Sequence, residues 1–446
     1  MSAPRDEPKS LKATLLTALD TRPGSELSVG GVPASLVAGA LGTPIYVFDA
    51  EIMRRNFSKV RATLGSRVEV LFALKANPNC AVASVLREAG AACEVASAGE
   101  ILVAMKAGFR GDQVQFAGPG KHGPDIELAL QHGIFSLNLE SISEYEAVRD
   151  AAKRSGVRQG VAVRVNPKDS LGGSRMQMGG GSKKFGVDTE LVPELIKRIA
   201  ADGDCQFRGL HIYAGTQSFD AKAWAENARG IVTFANQVEA ETGVPVNTIN
   251  FGGGFGVPLF EGDAPFDIES VGPAIQGLIA LDARPERKYF VELGRYLVAN
   301  SGVYLTRVIY AKESAGKHHL ILDGGMHHHA AAAGMGSLIR RPFPIVPVAR
   351  PWAEPTTKFT LGGPLCTPAD EFAANLDLPA VQVGDVLAVL ASGAYGLTFS
   401  NTMFLSHPAP GEVLAEGGKY WLVREPGRTE DSLRGQRLKG ELEPRE

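Results

Sequence analysis

The sequence has few cysteines and no long apolar run. Only four of its 446 residues are cysteine, and no two of them form a C-x-x-C pair. This scarcity argues against a disulfide scaffold and against a cysteine-type zinc site. No stretch approaches the roughly 18 uninterrupted apolar residues of a membrane helix, and the N-terminus MSAPRDEPKS lacks the apolar core of a secretory signal. We therefore expect a soluble cytoplasmic protein with no membrane contact.

The chain also lacks an excess of either charge. It has 46 basic and 49 acidic residues, which gives a net charge of -3. This balance provides no electrostatic basis for binding nucleic acid or an anionic membrane. The length exceeds what one hydrophobic core usually supports, so we expect two domains and, from the size, an enzyme.

What the sequence does contain is a regular alternation between residues 45 and 295. Short apolar runs alternate with longer segments, such as CAVASVLREAG, whose apolar residues recur at spacings of three and four. The runs are VEVLFALK, ACEVAS, VQFAGP, IFSLNLE, VAVRVNP, GLHIYAG, NTINFGGG and KYFVELG. This alternation predicts parallel βαβ units, and eight such units in about 250 residues predict a TIM (β/α)8 barrel within an α/β fold.

Beyond residue 296 the pattern changes to strand-like runs separated by glycine and proline. The runs are VYLTRVIYA, HHLILDGG, KFTLGGPLC, DVLAVL and KYWLVREP. They predict a mainly antiparallel β domain. We expect residues 1–43 to join that domain, residues 44–295 to form the barrel and residues 296–446 to form the β domain itself.

Polar residues stand at the carboxyl ends of the predicted barrel strands. Active sites of TIM barrels lie at that face, so we expect these side chains to converge. They are Lys75, Glu94, Asn138, Arg164, His211, Tyr213, Glu292 and Arg295. The turn FGGGFG at 251–256 follows the seventh run and offers backbone N–H groups, which bind phosphate at this place in many barrels.

Lys75 is unusual because it stands within an apolar run. Burying an ammonium without a partner costs several kcal/mol, so we expect it to have a function. A buried lysine opposite a phosphate-binding turn predicts a Schiff base to pyridoxal 5′-phosphate (PLP), since burial lowers the pKa of an amine and makes it nucleophilic. Glu292, at the end of the eighth run, is placed to keep the pyridine nitrogen of PLP protonated.

Six motifs, in order, resemble those of the PLP-dependent decarboxylases with an alanine-racemase-type barrel, such as diaminopimelate and ornithine decarboxylases. They are FALKAN, EVASAGE, INFGGGFG, ELGRY, GPLCTPAD and SGAYG, and the resemblance spans about residues 44–415. It implies that Lys75 bonds to the cofactor and that Glu292 holds the pyridine nitrogen. It also implies a homodimer with shared active sites, in which Cys366 of the partner subunit protonates Cα after CO2 has left.

The same resemblance implies further contacts with the cofactor. Those with the phosphate are Gly253, Gly254, Arg295 and Tyr395. Tyr213 stands where the family usually has a histidine that stacks on the ring, and a tyrosine face also stacks. Thr216 replaces the family's phosphate-binding serine. The remaining cofactor residues are Glu94, Arg164 and Gly294.

One departure from the family pattern concerns the substrate. Members that act on diamino acids carry Asp or Glu directly after the cysteine, where it pairs with the distal ammonium, but this chain has Thr367. Leaving a buried ammonium unpaired costs several kcal/mol, enough to reject lysine, ornithine or diaminopimelate. Asp370 lies three residues further on. The motifs IYAGTQ, MGGGSKKFGVD, DGGMHHHAA and GPLCTP look most like the branch that decarboxylates a glutamyl group on an acyl-carrier protein.

We therefore expect an L-α-amino acid carried as a thioester on an acyl-carrier protein, with free diaminopimelate or another free amino acid as the alternative. Arg340 and Arg341 are assigned to a free distal carboxylate or to the phosphate of the carrier's pantetheine arm. Consecutive histidines alternate faces on a strand, so MHHH at 326–329 predicts no metal site, and His328 is expected to line the substrate cavity. A racemase and a non-catalytic PLP-binding protein are the rivals, and Cys366 favours a decarboxylase over both.

Overall fold

The computed structural model describes residues 10–167, 174–177, 184–213, 215–282, 284–336, 340–438 and 440, with the backbone alone for 174–177. Residues 178–183 of the motif MGGGSKKFGVD lie outside these ranges. The chain forms two compact units, which we call the β unit, Met1–Asp49 with Gly302–Glu446, and the barrel unit, Ala50–Ser301. The sequence places the domain boundaries six residues earlier in each case, after 43 and 295. None of the described helices combines the length and the apolar character needed to cross a membrane.

The N-terminal part of the β unit contains two helices and three strands. They are α1 Leu11–Ala18, β1 Ser28–Val29, β2 Val32–Pro33, α2 Ala34–Leu41 and β3 Ile45–Asp49. Helix α1 begins after Ser10, whose hydroxyl accepts a hydrogen bond from the N–H of Ala13. All five residues of β3 are buried, as expected for a central strand.

The barrel unit alternates strands and helices along its whole length. Its elements are α3 Ala50–Leu64, β4 Val68–Ala73, α4 Cys80–Ala89, β5 Ala92–Val95, α5 Ala98–Lys106, β6 Val114–Ala117, α6 Gly123–Gln131, β7 Ser136–Leu139, α7 Ile142–Ser155, β8 Gln159–Asn166, β9 Ser174–Gln177, β10 Val187–Asp188, α8 Val192–Ala200, β11 Cys205–His211, β12 Gly215–Ser218, α9 Ala221–Thr242, β13 Thr248–Gly253, α10 Ile268–Ala280, β14 Lys288–Leu293 and α11 Arg295–Val298. Eight parallel strands pair in the order β8-β11-β13-β14-β4-β5-β6-β7, and β7 pairs with β8 to close the barrel. The predicted TIM barrel is confirmed.

Local sequence explains why these elements form and where they begin. Helix α8 has the sequence VPELIKRIA and buries Val192, Leu195, Ile196 and Ile199, which is the spacing of one helix face. Helices α4, α5 and α7 each begin after a residue whose side chain accepts a backbone N–H, namely Asn79, Ser97 and Ser141. Short strand-to-helix turns of this kind leave the strand ends accessible on one face of the barrel.

The rest of the β unit is a strand-rich continuation of the chain. Its strands are β15 Gly302–Ser314, β16 Lys317–Leu322, β17 Ile345–Pro347, β18 Thr357–Gly362, β19 Glu371–Leu378, β20 Val386–Val389, β21 Gly411–Glu416 and β22 Lys419–Arg424. The main sheet has the order β19-β18-β16-β15-β3-β21-β22, and β20 joins β15 to β17. Only β16–β18 and β21–β3 are parallel pairs among the described strands of this unit. The N-terminal residues also bond to this part, since the N–H of Leu27 donates to Val348 O. The prediction of a mainly antiparallel domain completed by the N-terminal segment is confirmed.

Candidate active site

Lys75 lies just after the first barrel strand, in the 3-10 turn Leu74–Ala76 that follows β4. Its side chain is 39% exposed, and its Nζ lies 3.0 and 2.8 Å from the two carboxylate oxygens of Glu94. The expectation of a buried, unpartnered ammonium within a strand is wrong. The strand ends at Ala73, which is in register with Glu94 on β5, so the neighbouring strand supplies the partner. One side of the amine is left accessible to a ligand.

Glu94 and Glu292 are both buried, yet their pKa values shift in opposite directions. Burial raises the pKa of Glu94, and the nearby charge of Lys75 offsets this only in part. Burial also acts to raise the pKa of Glu292, but His211, whose Nε2 lies 3.0 Å from Glu292 Oε1, together with the charges of Lys75 and Arg164, outweighs it and lowers the pKa to about 2. Glu292 is therefore a carboxylate at neutral pH. An ionised acid in this position is suited to hold a proton on a basic ring nitrogen of a ligand.

The glycine turn after β13 lies against the backbone of β12. Gly254 has φ +90°, and a Cβ at this position would lie 2.2 Å from Gly215 O. The N–H of Ser218 donates to Gly254 O at 2.8 Å, and the indole N–H of Trp224 donates to Gly253 O at 2.8 Å. No residue other than glycine fits this close approach without displacing the backbone.

Thr216 lies on β12, beside this turn. A Cβ built on Gly254 would be 3.4 Å from Thr216 Cα. The structure therefore places together three of the residues assigned to phosphate, namely Gly253, Gly254 and Thr216. Their roles toward the phosphate stay predictions.

Tyr213 and Gly294 lie near Lys75. The Nζ of Lys75 is 5.9 Å from the ring centroid of Tyr213. A Cβ on Gly294 would lie 2.8 Å from the Cβ of Ala76, so this glycine allows the start of α11, at Arg295, to pack on the Lys75 turn. The close packing is a structural reason for glycine in the motif ELGRY.

Arg164 is buried at the end of β8 and is held by an acidic partner. Its Nη1 donates to Glu140 Oε1 at 2.6 Å, and the other carboxylate oxygen of Glu140 accepts from the N–H of Gly186. The guanidinium also lies 4.7 Å from the centroid of the Phe185 ring. These contacts fix the orientation of the arginine at the same face of the barrel, where a cofactor contact was predicted.

The remaining predicted site residues belong to the β unit. Cys366 is exposed in the turn between β18 and β19, and Thr367 Oγ1 accepts from the N–H of Ala369 at 3.3 Å. Tyr395 has the positive φ of +53°. Arg340 and Arg341 are exposed.

Asp370 clamps two loops of the β unit. Its Oδ1 accepts from the N–H of Met326 at 2.6 Å, and its Oδ2 accepts from the N–H of Leu365 at 2.8 Å. Asp370 is buried, and Gly325 and Gly363 pack against its carboxylate so closely that a Cβ on either would lie within 2.4 Å of an oxygen. Both oxygens therefore accept backbone N–H groups, one of them from Leu365, the residue before Cys366.

The three histidines of MHHH lie in a turn, so the expectation that they alternate across a strand is wrong. His328 is buried. Its Nδ1 lies 3.2 Å from the hydroxyl of Tyr304, and its Nε2 lies 2.9 Å from Pro408 O, so it accepts from the tyrosine and donates to the carbonyl. Its role toward a substrate stays a prediction. Within the described residues, no three His, Cys, Asp or Glu side chains come together in a way that could hold a metal.

These buried histidines predict a loss of stability in mild acid. Burial lowers the pKa of His327 to about 3 and that of His328 to about 4, against 6.5 for the free side chain. Below pH 6.5 the unfolded chain therefore takes up protons that the folded chain does not, and folding weakens as the pH falls from about 6.5 to 4. We expect a loss on the order of 2 kcal/mol per histidine by pH 4.5, measured as a shift in the urea midpoint.

The variant His327→Phe isolates one of these groups. The ring of His327 lies against that of His328, with the centroids 3.6 Å apart and the planes tilted by 43°, and its two ring nitrogens have no hydrogen-bond partner among the described residues. Phenylalanine keeps an aromatic ring against His328, so the variant should be no less stable at pH 7.5 and should lose about 2 kcal/mol less stability than the unsubstituted protein by pH 4.5. His318→Gln, at an exposed position of the same unit, is the control. An unchanged pH slope in His327→Phe would contradict the assignment.

Sequence reasoning missed two residues that support Glu292. The side-chain amide of Asn250 lies between Glu292 and Gln115, and all three side chains are buried. The available signal was a polar residue inside each of two apolar runs, in TINFGGG and VQFAGP. The contacts of these residues depend on strand register, which the runs do not specify.

The site fits PLP by the chemistry of its groups. It combines an accessible amine, an ionised acid and a glycine turn with backbone N–H groups. Ser218 Oγ, buried beside that turn, and the amide nitrogen of Asn138, at the end of β7, have no hydrogen-bond partner within the described part of the chain. Such buried polar groups are usually satisfied by a ligand or water.

Comparison with known proteins identifies relatives along nearly the whole chain. Residues 50–299 match the family profile of the pyridoxal binding domain of pyridoxal-dependent decarboxylases. The L-glutamyl-[BtrI acyl-carrier protein] decarboxylase of Niallia circulans is 36% identical over 395 residues, covering 87% of this chain and 92% of the relative. The diaminopimelate decarboxylase of Methanothermobacter thermautotrophicus is 34% identical over 426 residues, covering 93% and 96%. The solved structure of diaminopimelate decarboxylase from M. jannaschii aligns with a TM-score of 0.87 at 26% identity, covering 96% of this chain and 100% of that one.

Proposed function

Because this chain belongs to the pyridoxal-dependent decarboxylases and is a PLP-dependent carboxy-lyase, we propose that it acts on an L-α-amino acid tethered to an acyl-carrier protein. The distal carboxyl of such a substrate is a thioester and carries no charge. The proposal is supported by the relative from Niallia circulans, which is named for a glutamyl group on a carrier protein. A free amino acid such as diaminopimelate is the second candidate, favoured by the 34% identity to a diaminopimelate decarboxylase.

The observation that carries the proposal is the turn after Cys366. Thr367 stands where enzymes acting on diamino acids are expected to carry a carboxylate. The next carboxylate along the chain is Asp370, and both of its oxygens accept backbone N–H groups. Recruiting it for a distal ammonium would leave those two amides without their acceptor, at a cost of about 1–3 kcal/mol each. An uncharged thioester needs no such partner.

Residues of the barrel unit are proposed to bond to the cofactor and to bind its ring and phosphate. Bound PLP supplies an electron-withdrawing ring that takes up the electron pair left on Cα when CO2 departs. Lys75 provides the amine that bonds to the cofactor, and Glu94 orients it. Glu292 stays ionised and so holds a proton on the pyridine nitrogen. Gly253, Gly254 and Thr216, with Arg295, are proposed to bind the phosphate, and Tyr213 to cover the ring.

Residues of the β unit are proposed to act on the substrate. Cys366 of the partner subunit donates the proton that replaces CO2 on Cα. Arg340 and Arg341 carry exposed guanidinium groups that are suited to the phosphate of a pantetheine arm or to a free distal carboxylate. Tyr395 is proposed to contact the cofactor phosphate. A cytoplasmic location is supported by the four cysteines, all of which are free thiols.

Substitution of Thr367 tests the substrate class. Thr367→Glu restores a carboxylate after Cys366 and should raise kcat/KM for lysine or diaminopimelate by at least roughly 10-fold, because a buried ion pair replaces an unpaired ammonium. The matched control is Thr367→Val, which has the same shape without the hydroxyl and should gain no such activity. Rates of CO2 release give the measurement. High activity of the unsubstituted enzyme on free diamino acids would contradict the proposal.

We also propose a homodimer whose active sites are shared between subunits. If Lys75 and the partner's Cys366 serve one site, Lys75→Ala and Cys366→Ala should each be inactive alone. After mixing and subunit exchange, half of the dimers are hybrids with one intact site of two, so activity should return to about 25% of the unsubstituted level. The rate of CO2 release from the mixture, against each variant alone, checks this. No recovery despite hybrid formation, verified by mass spectrometry, would mean that both residues serve the same chain.

A further inference from the structure

We propose that Asn250 is a positioning residue that fixes the glycine turn and Glu292 relative to each other through the two ends of one side-chain amide. This inference rests on the roles proposed above for Glu292 and for the glycines, and it assigns a task to a residue of the motif INFGGGFG that has no role in the proposal above. Three observations on the barrel unit carry it.

The first observation is a bulge directly after Asn250. Strand β13 pairs with β14 so that Asn250 is opposite Phe290, while the next paired residues are Gly253 and Glu292. Three steps on β13 therefore correspond to two steps on β14, so β13 holds one extra residue. Bulges redirect a strand next to a site, and here the bulge turns the chain into the glycine segment that follows.

The second observation is that the carbonyl end of Asn250 holds this bulge. Asn250 Oδ1 accepts from the N–H of Gly252 at 2.9 Å. Gly252 has φ +66°, and a Cβ there would lie 2.8 Å from Ile212 O and 2.6 Å from a ring carbon of Tyr213. The turn has no room for another residue, and its N–H would be unsatisfied without the Asn250 acceptor.

The third observation is that the NH2 end of Asn250 holds the acid. Its Nδ2 donates to Glu292 Oε1 at 2.8 Å and to Gln115 Oε1 at 3.0 Å. The exposed fractions of Asn250, Gln115 and Glu292 are 3%, 4% and 3%. Two acceptors on one side and one donor on the other fix the orientation of the amide.

These contacts give Asn250 a role that few side chains can fill. Aspartate is isosteric and still accepts from Gly252, but it has no N–H for Glu292 and places a second carboxylate against it. Leucine has neither the carbonyl acceptor for Gly252 nor the NH2 donor for Glu292. The hydrogen bond from Asn250 stabilises the ionised form of Glu292, as does the neighbouring His211. Loss of the Asn250 hydrogen bond should therefore weaken the interaction of Glu292 with a protonated ring nitrogen.

The test separates the ring nitrogen from the rest of the cofactor. Apoenzyme of the full chain is titrated with PLP and with its 1-deaza analogue, in which a carbon replaces the ring nitrogen, and Trp224 at the glycine turn reports binding by fluorescence. The ratio of the two dissociation constants measures the contribution of the nitrogen. We expect Asn250→Asp to reduce this preference for PLP by on the order of 10- to 100-fold, as for the loss of a buried hydrogen bond to a charge, while binding of the deaza analogue changes less than about threefold.

Three further variants define the outcome. Asn166→Asp is the matched control, because Asn166 is another buried strand-end asparagine that donates to a carboxylate, that of Asp188 at 3.0 Å; its ratio should not change. Glu292→Gln should lose the preference as Asn250→Asp does. If Asn250→Asp does not fold by circular dichroism, Asn250→Ser removes the donor without adding a charge and should still lower the ratio by about 10-fold.

The possible results are distinguishable. The inference is supported if Asn250→Asp and Glu292→Gln lose the preference for PLP over the deaza analogue and Asn166→Asp keeps it. If Glu292→Gln loses the preference for PLP but both Asn250→Asp and Asn250→Ser keep it, the inference fails and the proposed role of Glu292 stands. If Asn250→Asp weakens the binding of PLP and of its deaza analogue to the same extent, the role of Asn250 is purely structural and the inference is overturned. A ratio unchanged in Glu292→Gln would remove the proposed role of Glu292 and the inference with it.

Discussion

Replacing Lys75 with alanine is expected to lower kcat by on the order of 10^4-fold or more, the scale seen when an enzyme loses the group that bonds to its substrate or cofactor. In the structure Lys75 is the amine that the strand end presents beside Glu94, with part of its side chain exposed. Alanine removes the bond to the cofactor but none of the groups that bind its phosphate or ring nitrogen. PLP should therefore still bind, and CO2 release should nearly stop.

A chemical readout makes this prediction specific. Borohydride reduction should attach the cofactor mass to the peptide containing Lys75 in the unsubstituted enzyme and to no peptide in Lys75→Ala. Lys75→Arg keeps a positive charge beside Glu94 and should be as inactive as alanine. Lys288→Arg is the control, because Lys288 is exposed at the amino end of β14, and it should keep full activity. Cofactor mass on another lysine would contradict the assignment.

Replacing Glu292 with glutamine is expected to lower kcat by roughly 10^2- to 10^3-fold, the scale for removing one preorganised electrostatic group. The neighbouring His211, together with the charges of Lys75 and Arg164, lowers the pKa of Glu292 to about 2 against the effect of burial, so the carboxylate is ionised. In the proposed role this carboxylate holds the proton of the pyridine nitrogen. An amide has no charge with which to hold that proton. The ring then draws electrons from Cα less strongly, and loss of CO2 slows.

The measurement is kcat for CO2 release at saturating PLP, so that weaker cofactor binding does not limit the rate. Glu69→Gln is the matched control, since Glu69 lies at the amino end of β4 and is 44% exposed. It should keep the unsubstituted rate. A Glu292→Gln enzyme that retains more than about a third of its kcat would show that ring protonation does not depend on this acid.

The barrel was predictable because its strands are buried on both faces. Each of the eight runs is a short, nearly continuous apolar segment, and each is followed by a helix-patterned stretch, so the order of the strands follows from the order in the sequence. The strand Ile45–Asp49 is different. Its apolar pattern marks a strand but not a sheet, and it pairs with Gly411–Glu416, from the other end of the chain. Long-range pairing of this kind leaves no local signal.

The site was predictable to the extent that it depends on position along a strand. The positions of Lys75 and Glu292 at the carboxyl ends of strands could be predicted in this way. The pairing of Lys75 with Glu94 does not, because it depends on the register of two neighbouring strands. The role proposed for Asn250 depends on a bulge, and the contacts of Asp370 depend on two loops that meet in space. In the sequence Asp370 is simply another carboxylate near Cys366. In the structure its two oxygens accept the backbone N–H groups of Met326 and Leu365.

The most direct test of the account offers the PLP-loaded enzyme two pools of substrate and follows the loss of one CO2 by mass spectrometry. One pool contains free lysine, ornithine, diaminopimelate and glutamate. The other contains amino acids that have a distal carboxyl, glutamate among them, loaded through that carboxyl as thioesters on an acyl-carrier protein. We expect CO2 to be lost from a carrier-bound amino acid alone. Loss of CO2 from a free diamino acid, at a rate equal to or above that of the tethered pool, would contradict the proposal that Thr367 defines a site without a partner for a distal ammonium.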